Sequence, residues 1–239
     1  MQVWNRGFRL TWLGHATFEL VTRGNVTLLV DPWLTGNPKY PAGRPPLARL
    51  DVIALTHAHG DHSRDVVELA KRFGCPVVCA HEASIVLERK GVTTAAPMGK
   101  GGTQRAGGLA FTMVHATHSS AFDADEALVY GGGEAGYVVT LEDGAKLYFA
   151  GDTGPTMDMA VVRELYAPEI AILPIGGHYT MGPREAAWAA KQVGARWIVP
   201  MHWGTFPLLA GTPDALRAEL KAMGVAAEVV APEPGDPVS

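Results

Sequence analysis

The feature that most constrains the fold is the run His-Ala-His-Gly-Asp-His at residues 57–62. It follows an apolar stretch, 52–55, that predicts a buried strand, and it precedes a helix predicted over 63–73 with Ser63 as its N-cap. Just past a strand end, alternate side chains can face the same way, and Gly60 permits a sharp turn. Metal-binding side chains would then converge on one pocket, whereas a solvated turn offers little reason for this composition. They are His57, His59, Asp61 and His62.

The rest of the chain alternates between predicted strands and helices. Strands are predicted at 8–13, 16–21, 26–30, 76–80, 109–114, 135–141, 146–150, 170–173 and 197–200. Helices are predicted at 82–90, 157–166, 183–193 and 212–223. Each half opens with antiparallel strands and ends in β–α alternation, which predicts an α/β protein with two similar layers in a single domain, 1–239. The Pro/Gly-rich C-terminal tail is expected to be frayed.

Composition restricts the class of protein further. The 239 residues are 47% hydrophobic and 18% charged, with a formal net charge of −4, which excludes a disordered or fibrous chain and disfavours nucleic acid as a partner. No apolar stretch approaches the ~18 to 20 residues that span a bilayer, so we expect a cytoplasmic protein without integral membrane contact, acting on a small molecule. The sequence leaves open whether the protein forms a homo-oligomer. Cys75 and Cys79 would lie ~13 Å apart in a strand, and are predicted to be buried thiols.

Further polar side chains that could bind metal also follow predicted strands. In chain order they are His115, His118, Asp152, His178 and His202. Ligands of open α/β sheets bind where strands end, so one pocket is expected to collect these residues. His15 lies between two strands and is equally consistent with a pocket residue or a packed core histidine. His81 precedes a helix and is expected at the surface.

Together these residues resemble the metallo-β-lactamase superfamily, whose His-x-His-x-Asp-His signature is matched in full at 57–62. The further residues of the superfamily pattern are present in the same order along the chain: Asp31, His118, Asp152 and His202. Trp-Leu-Gly-His at 12–15 and the runs at 173–183 and 199–207 resemble a compact family of metal-dependent hydrolases. That family is akin to ascorbate-phosphate lactonases and N-acyl-phosphatidylethanolamine phospholipases. The resemblance spans nearly the whole chain and implies a four-layered αββα sandwich of two similar halves.

The same resemblance implies two divalent metal ions, most simply zinc, with manganese and iron as alternatives. One ion would be held by His57, His59 and His118, and the second by Asp61, His62 and His202, with Asp152 between them. His115 could reach the first ion instead of His118; the His-Ser step at 118–119 favours His118. Asp31 is expected to orient a ligand histidine through its ring N–H. The absence of thiolate ligands argues against a purely structural zinc site.

Hydrolysis is the chemistry that such a centre supports. Two ions sharing a water would lower its pKa toward ~7 and supply hydroxide for attack on a small ester, lactone or phosphodiester. Asp61 is predicted to position the hydroxide and move its proton, and His178 to stabilise the oxyanion or protonate the leaving group. Four aromatic side chains are candidates for an apolar substrate wall: Trp33, Tyr179, Trp203 and Phe206.

Two other functions remain open on the same fold. A di-iron redox enzyme is one, although its relatives usually carry Glu where this chain has His59. A metal-retaining binding or sensing protein without turnover is the other, and the intact ligand set argues against it. The Gly99–Gly102 segment lacks the Gly-Lys-Ser/Thr ending of a phosphate loop and is predicted to be a turn.

Overall fold

The computed structural model describes residues 1–4, 6–124 and 127–239. Strands in the first half of the chain are β1 (Arg9–Trp12), β2 (Phe18–Val21), β3 (Thr27–Val30), β4 (Val52–Ala54), β5 (Val77–Ala80), β6 (Ala95–Met98), β7 (Thr103–Ala106) and β8 (Leu109–His115). Strands in the second half are β9 (Ala121–Ala124), β10 (Ala127–Tyr130), β11 (Ala135–Thr140), β12 (Lys146–Phe149), β13 (Ile170–Pro174), β14 (Trp197–Met201), β15 (Glu228–Val229) and β16 (Pro237–Val238). The helices are α1 (Gly60–Ser63), α2 (Val66–Phe73), α3 (His81–Arg89), α4 (Asp158–Tyr166), α5 (Pro183–Val193) and α6 (Pro213–Ala222).

Two seven-stranded sheets organise the described chain. The first has the order β16-β1-β2-β3-β4-β5-β6 and the second β15-β14-β13-β12-β11-β8-β7, while β9 and β10 pair separately. In the first sheet β1 to β3 are antiparallel and β3 to β6 are parallel. In the second, β7, β8, β11 and β12 are antiparallel and β12 to β15 are parallel. This repetition confirms the prediction of two similar halves.

Alternating side chains of the second sheet separate its two faces. Tyr137, Val139 and Phe149 belong to a core shared with the first sheet, whereas Val138 and Tyr148 pack in a separate core with α4, α5 and α6. This follows from the two-residue period of a strand. Buried residues of α2 and α3 join the first core from the far side of the first sheet. The layers are therefore helix, sheet, sheet and helix, as the resemblance implied. No helix within the described residues is long and apolar enough to cross a membrane.

The helix predicted over 63–73 is interrupted, and Ser63 as its N-cap is wrong. A short helix, α1, begins at Gly60, and α2 begins only at Val66. Ser63 is therefore the last residue of α1 rather than the residue before α2, and its hydroxyl donates to the carbonyl of Ala58 (2.8 Å). Helix α1, which contains Asp61 and His62, turns the chain just past the C-terminal end of β4, before α2 begins.

The expectation of a frayed C-terminal tail is also wrong. Strand β16 pairs antiparallel with β1 through Leu10 and Thr11, and the side chain of Val238 is only 1% exposed. The outer edge of β1 would otherwise present unpaired backbone groups, and the tail satisfies them. The end of the chain thus completes the first sheet.

Replacing Val238 with alanine is expected to lower the free energy of unfolding by about 2 kcal/mol, because two buried methyl groups are lost and a cavity remains. Chemical denaturation monitored by circular dichroism measures the change. Glu233→Ala, at an exposed position of the same tail, is the control and should leave stability unchanged. Equal stabilities of the two variants would show that β16 does not contribute to the folded sheet.

Both cysteines are free and buried, as predicted. Burial raises the pKa of the Cys75 thiol to about 11 and that of Cys79 to about 12. At pH 8 almost none of either group is the reactive thiolate. We therefore expect no reaction of the native protein with a disulfide reagent such as dithionitrobenzoate over minutes, and two thiols per chain after unfolding. Rapid labelling of the native chain would contradict the buried placement.

Candidate metal centre

The predicted site residues lie where strands of both sheets end. Asp31 directly follows β3, and the histidine run follows β4, the parallel neighbour of β3. In the other sheet Asp152 follows β12, and His202 comes directly after β14. Because these ends meet at one edge of the sandwich, a single crevice collects their side chains. The sequence-based expectation of one pocket rests on the same geometry.

Three histidines form what we call the first cluster: His57, His59 and His118. One nitrogen from each lies within 4.8 Å of the others. Nε2 of His57 is 3.0 Å from Nδ1 of His59, and the ring centroid of His118 is 5.2 Å from that of His57 and 5.1 Å from that of His59. On its other side, His57 Nδ1 is 3.0 Å from the hydroxyl of Thr56, which leaves Nε2 directed into the cluster.

Four residues form the second cluster: His15, Asp61, His62 and His202, again with one ligand atom each within 4.8 Å. Asp152 contacts both clusters. Its carboxylate oxygens lie 3.0 Å from His202 Nε2, 3.4 Å from His62 Nε2 and 3.7 Å from His118 Nε2. Asp152 therefore lies between the two clusters.

Asp31 orients His62 rather than joining either set directly. Its carboxylate accepts from the backbone N–H (2.8 Å) and the hydroxyl (2.7 Å) of Thr56, and it lies 2.8 Å from His62 Nδ1. With that nitrogen occupied, Nε2 of His62 is directed at Asp152. A carboxylate behind a histidine is the usual way in which a ligand ring is aimed at a metal.

The protonation states suit a cation-binding site. Burial lowers the pKa of His57 well below its usual range and also lowers that of His118, so both rings are neutral and offer a lone pair. Although burial opposes ionisation, the nearby charges of His202 and His62 hold the pKa of Asp152 well below its usual range. For His62, burial is outweighed by Asp152 and Asp31, which raise its pKa. Positive charge is thus favoured between the two carboxylates, and a metal ion bound by His62 would replace the proton on its Nε2.

The residues present fit a divalent metal ion. Among the described residues, three buried side-chain atoms of this centre have no hydrogen-bond partner: His62 Nε2, Asp152 Oδ1 and His202 Nδ1. Buried polar atoms are rarely left unpaired, and a cation in the crevice would supply partners to the first two. The donors are imidazole nitrogens and carboxylate oxygens, a set that suits zinc, iron or manganese.

Backbone strain is concentrated at this crevice. His15 (φ 55°), Asp31 (φ 48°), His178 (φ 55°) and His202 (φ 55°) all adopt the left-handed conformation, which is uncommon for residues with a side chain. Such strain persists where the surroundings enforce it. At Gly176, for example, a Cβ would lie 2.0 Å from the carbonyl oxygen of His202, so only glycine permits the close approach of these two segments.

The sequence left two questions open: whether His15 lines the pocket, and whether His115 or His118 joins the first cluster. His15 is a pocket residue: it is fully buried, and its Nε2 lies 3.0 Å from Asp61 Oδ2. His118 belongs to the first cluster, whereas the nitrogens of His115 lie 3.4 Å from Lys100 Nζ and 3.3 Å from the Thr117 hydroxyl.

His178 is exposed and its ring contacts Tyr179, and none of its recorded contacts within the described chain involves the clusters. Its loop is nevertheless attached beside the centre, because the N–H of Met181 donates to the carbonyl of Thr153 (3.1 Å), the neighbour of Asp152. His178 is therefore not among the buried candidate ligands.

The four candidate aromatic residues divide into different environments. Trp33 and Phe206 stack with their centroids 6.0 Å apart, and Phe206 lies 6.0 Å from the ring of His15, so this pair borders the second cluster. Trp203 instead stacks on Trp12 at 5.3 Å, while Tyr179 is largely exposed.

Comparisons with known proteins identify the family of the chain. A sequence model of the beta-lactamase superfamily domain matches residues 26–203. A UPF0173 metal-dependent hydrolase from Koribacter versatilis is 48% identical over 212 residues, covering 89% of this chain and 91% of the relative. One from Solibacter usitatus is 48% identical over 229 residues, covering 96% and 98%. The structure of Igni18, described as a novel metallo hydrolase from Ignicoccus hospitalis, has a TM-score of 0.83 at 35% identity and covers 97% of each chain.

The chain therefore belongs to the metallo-β-lactamase superfamily and, within it, to the UPF0173 family of metal-dependent hydrolases. Its fold is the αββα sandwich of that superfamily.

Proposed function

We propose that the chain is a dinuclear metal-dependent hydrolase of a small ester, lactone or phosphodiester. The observation that carries this proposal is the position of Asp152, whose carboxylate lies within 3.7 Å of nitrogens from both clusters. A carboxylate placed in this way can be shared by two cations, and hydrolytic two-metal sites hold their ions ~3.5 to 4 Å apart. His57, His59 and His118 would hold one ion; Asp61, His62 and His202 would hold the other.

Bound divalent ions supply hydroxide from water near neutral pH and polarise the acyl or phosphoryl oxygen. Side chains of the protein orient the reacting groups. Asp61 has one oxygen engaged by His15, and although burial opposes it, that hydrogen bond holds the pKa of Asp61 well below its usual range. Its second oxygen, in the ionised state that this low pKa favours, can bind the second ion and orient the attacking group. We propose that His178, which lies on an exposed loop whose Met181 is hydrogen-bonded to Thr153, acts on the oxyanion or the leaving group.

The surroundings of the second cluster favour a substrate with an apolar portion. Phe206 is 40% exposed and stacks on the buried Trp33 beside His15. An apolar substituent on the substrate could pack against this pair and exclude water from the reacting group. Zinc is the metal we propose, with manganese or iron as alternatives. We also propose a cytoplasmic location, which the two unpaired thiols support.

An activity screen with parallel metal analysis tests the proposed function. We expect the purified protein to carry about two divalent ions per chain and to hydrolyse members of a panel of nitrophenyl esters, lactones and phosphodiesters. Chelation should abolish the activity, and added zinc should restore it. His81→Ala, at an exposed histidine on α3, should behave like wild type. Full hydrolysis after chelation to metal-free protein would contradict the proposal, and an iron-dependent visible spectrum without hydrolysis would favour the redox alternative.

A further inference from the structure

The ring of His15 is held from both sides. Its Nε2 lies 3.0 Å from Asp61 Oδ2, and its Nδ1 lies 2.9 Å from the hydroxyl of Thr205. The side chain is fully buried, with the ring centroid of His202 at 4.0 Å and that of Trp33 at 5.1 Å. These neighbours leave the imidazole little freedom to rotate.

The backbone of His15 is fixed as firmly as its ring. Its carbonyl oxygen accepts from the indole N–H of Trp12 (2.9 Å) and from the backbone N–H of His202 (2.9 Å). These two hydrogen bonds hold the residue in its left-handed conformation. The hydrogen bond from His202 also joins the turn between β1 and β2 directly to the segment that carries this proposed ligand of the second ion.

The two hydrogen bonds of the His15 ring form a series in which each side chain donates to the next. An ionised carboxylate only accepts, so His15 must donate to Asp61 through Nε2–H. In the neutral imidazole Nδ1 is then the acceptor, and the hydroxyl of Thr205 donates to it. The order is Thr205 to His15 to Asp61. One oxygen of Asp61 is thereby occupied, and no described residue forms a hydrogen bond with the other.

The same arrangement recurs at the neighbouring proposed ligands. His57 has Nδ1 at the hydroxyl of Thr56 and Nε2 directed into the first cluster. His62 has Nδ1 at Asp31 and Nε2 directed at Asp152. In each, one atom is held by a partner behind it and the other faces the crevice. Asp61 fits this pattern only if His15 is its partner.

We propose that His15, with Thr205 behind it, is a positioning residue that holds Asp61 with one oxygen directed at the second metal ion. His15 is not itself a ligand in this assignment, because its Nε2 is engaged by Asp61. The inference rests on the proposed two-metal function. It also gives a role to a histidine that lies outside the His-x-His-x-Asp-His run.

Titration of the metal-free protein with Co²⁺, followed by visible absorption, tests the assignment without a substrate. His15→Met removes the donor but keeps a side chain of similar bulk, whereas His15→Gln can still place an amide N–H near the carboxylate. We expect His15→Met to weaken binding of the second Co²⁺ about 10- to 100-fold, the usual effect of losing a residue behind a ligand. His15→Gln should restore most of that loss, with binding of the first Co²⁺ unchanged in both.

Variants at Thr205 provide a second matched pair that leaves His15 in place. Thr205→Ser keeps the hydroxyl and should bind both ions like wild type, whereas Thr205→Val should weaken only the second. Thermal unfolding of the metal-free variants checks their folding. Equal loss of the second Co²⁺ in His15→Gln and His15→Met would make His15 a ligand and overturn the assignment, as would wild-type titrations of both His15→Met and Thr205→Val. A wild-type protein that binds a single Co²⁺ would instead overturn the proposed two-metal function.

Discussion

Replacing Asp152 with asparagine is expected to abolish hydrolysis and to reduce the bound metal below two ions per chain. Asparagine has nearly the same shape, so the change removes the negative charge while preserving packing. The carboxylate is 3% exposed and lies against three proposed ligand histidines. Loss of a residue that orients a metal ligand typically lowers metal affinity or activity 10- to 100-fold, so loss of a carboxylate proposed to bind both ions should lower kcat/KM by more than about 100-fold.

Asp158→Asn is the matched control for this experiment. Asp158 is an exposed carboxylate on the first turn of α4, six residues after Asp152, and it lies outside both clusters. Metal analysis by mass spectrometry and initial rates on any substrate found in the screen should match wild type for this variant. If Asp152→Asn kept two ions and full activity, the proposed bridging position would be untenable.

Elements with strong local signals were predictable from the sequence alone. Helix α5 begins at Pro183 and is followed by Gly194 in the left-handed conformation (φ 67°), and the hydroxyl of Thr212 accepts from the N–H of Ala215 at the start of α6. Proline at a helix start and glycine just past its end act through nearby backbone geometry. These signals are readable in a single sequence because both partners lie within a few residues.

Elements defined by distant partners were not predictable in the same way. Strand β16 exists because it pairs with β1, more than 220 residues earlier, and the sequence of the tail contains no sign of that partner. Strand β7, Thr-Gln-Arg-Ala, is an edge strand whose side chains are only partly buried, so it lacks the apolar pattern of the central strands. Residue type alone predicted Ser63 as the helix cap, but α2 begins only after Asp65, whose carboxylate accepts from the distant backbone N–H groups of Leu34 and Thr35.

Residues of the candidate site likewise divide into those predictable from a short segment and those that depend on distant partners. The histidine run lies in one short segment, so its convergence follows from a single strand end. The choice between His115 and His118 depends on where β8 ends, because the strand continues through His115 and the chain turns into the crevice only afterwards. The role of His15 depends on Asp61, 46 residues away. Its position after a glycine in a turn was the available signal, and that signal does not identify a partner.

Replacing His57 with alanine is the second change expected to have a very large effect, and its outcome should differ from that of Asp152. His57 is central to the first cluster, with Nε2 3.0 Å from His59 and its ring 5.2 Å from that of His118. It contributes no ligand atom to the second cluster, although its ring centroid lies 4.1 Å from that of His62. We therefore expect the bound metal to fall from two ions to about one per chain, with loss of hydrolysis.

A Co²⁺ titration of His57→Ala should show one remaining site whose affinity is close to that of the second site in wild type. The comparison matters because a chain that merely unfolds would lose both ions, whereas loss of one ligand set should spare the other. His81→Ala provides the control, since His81 is an exposed histidine at the start of α3. Retention of two ions with undiminished hydrolysis would show that His57 is not a ligand. Loss of the second ion alone would instead require the two ligand sets to be reassigned.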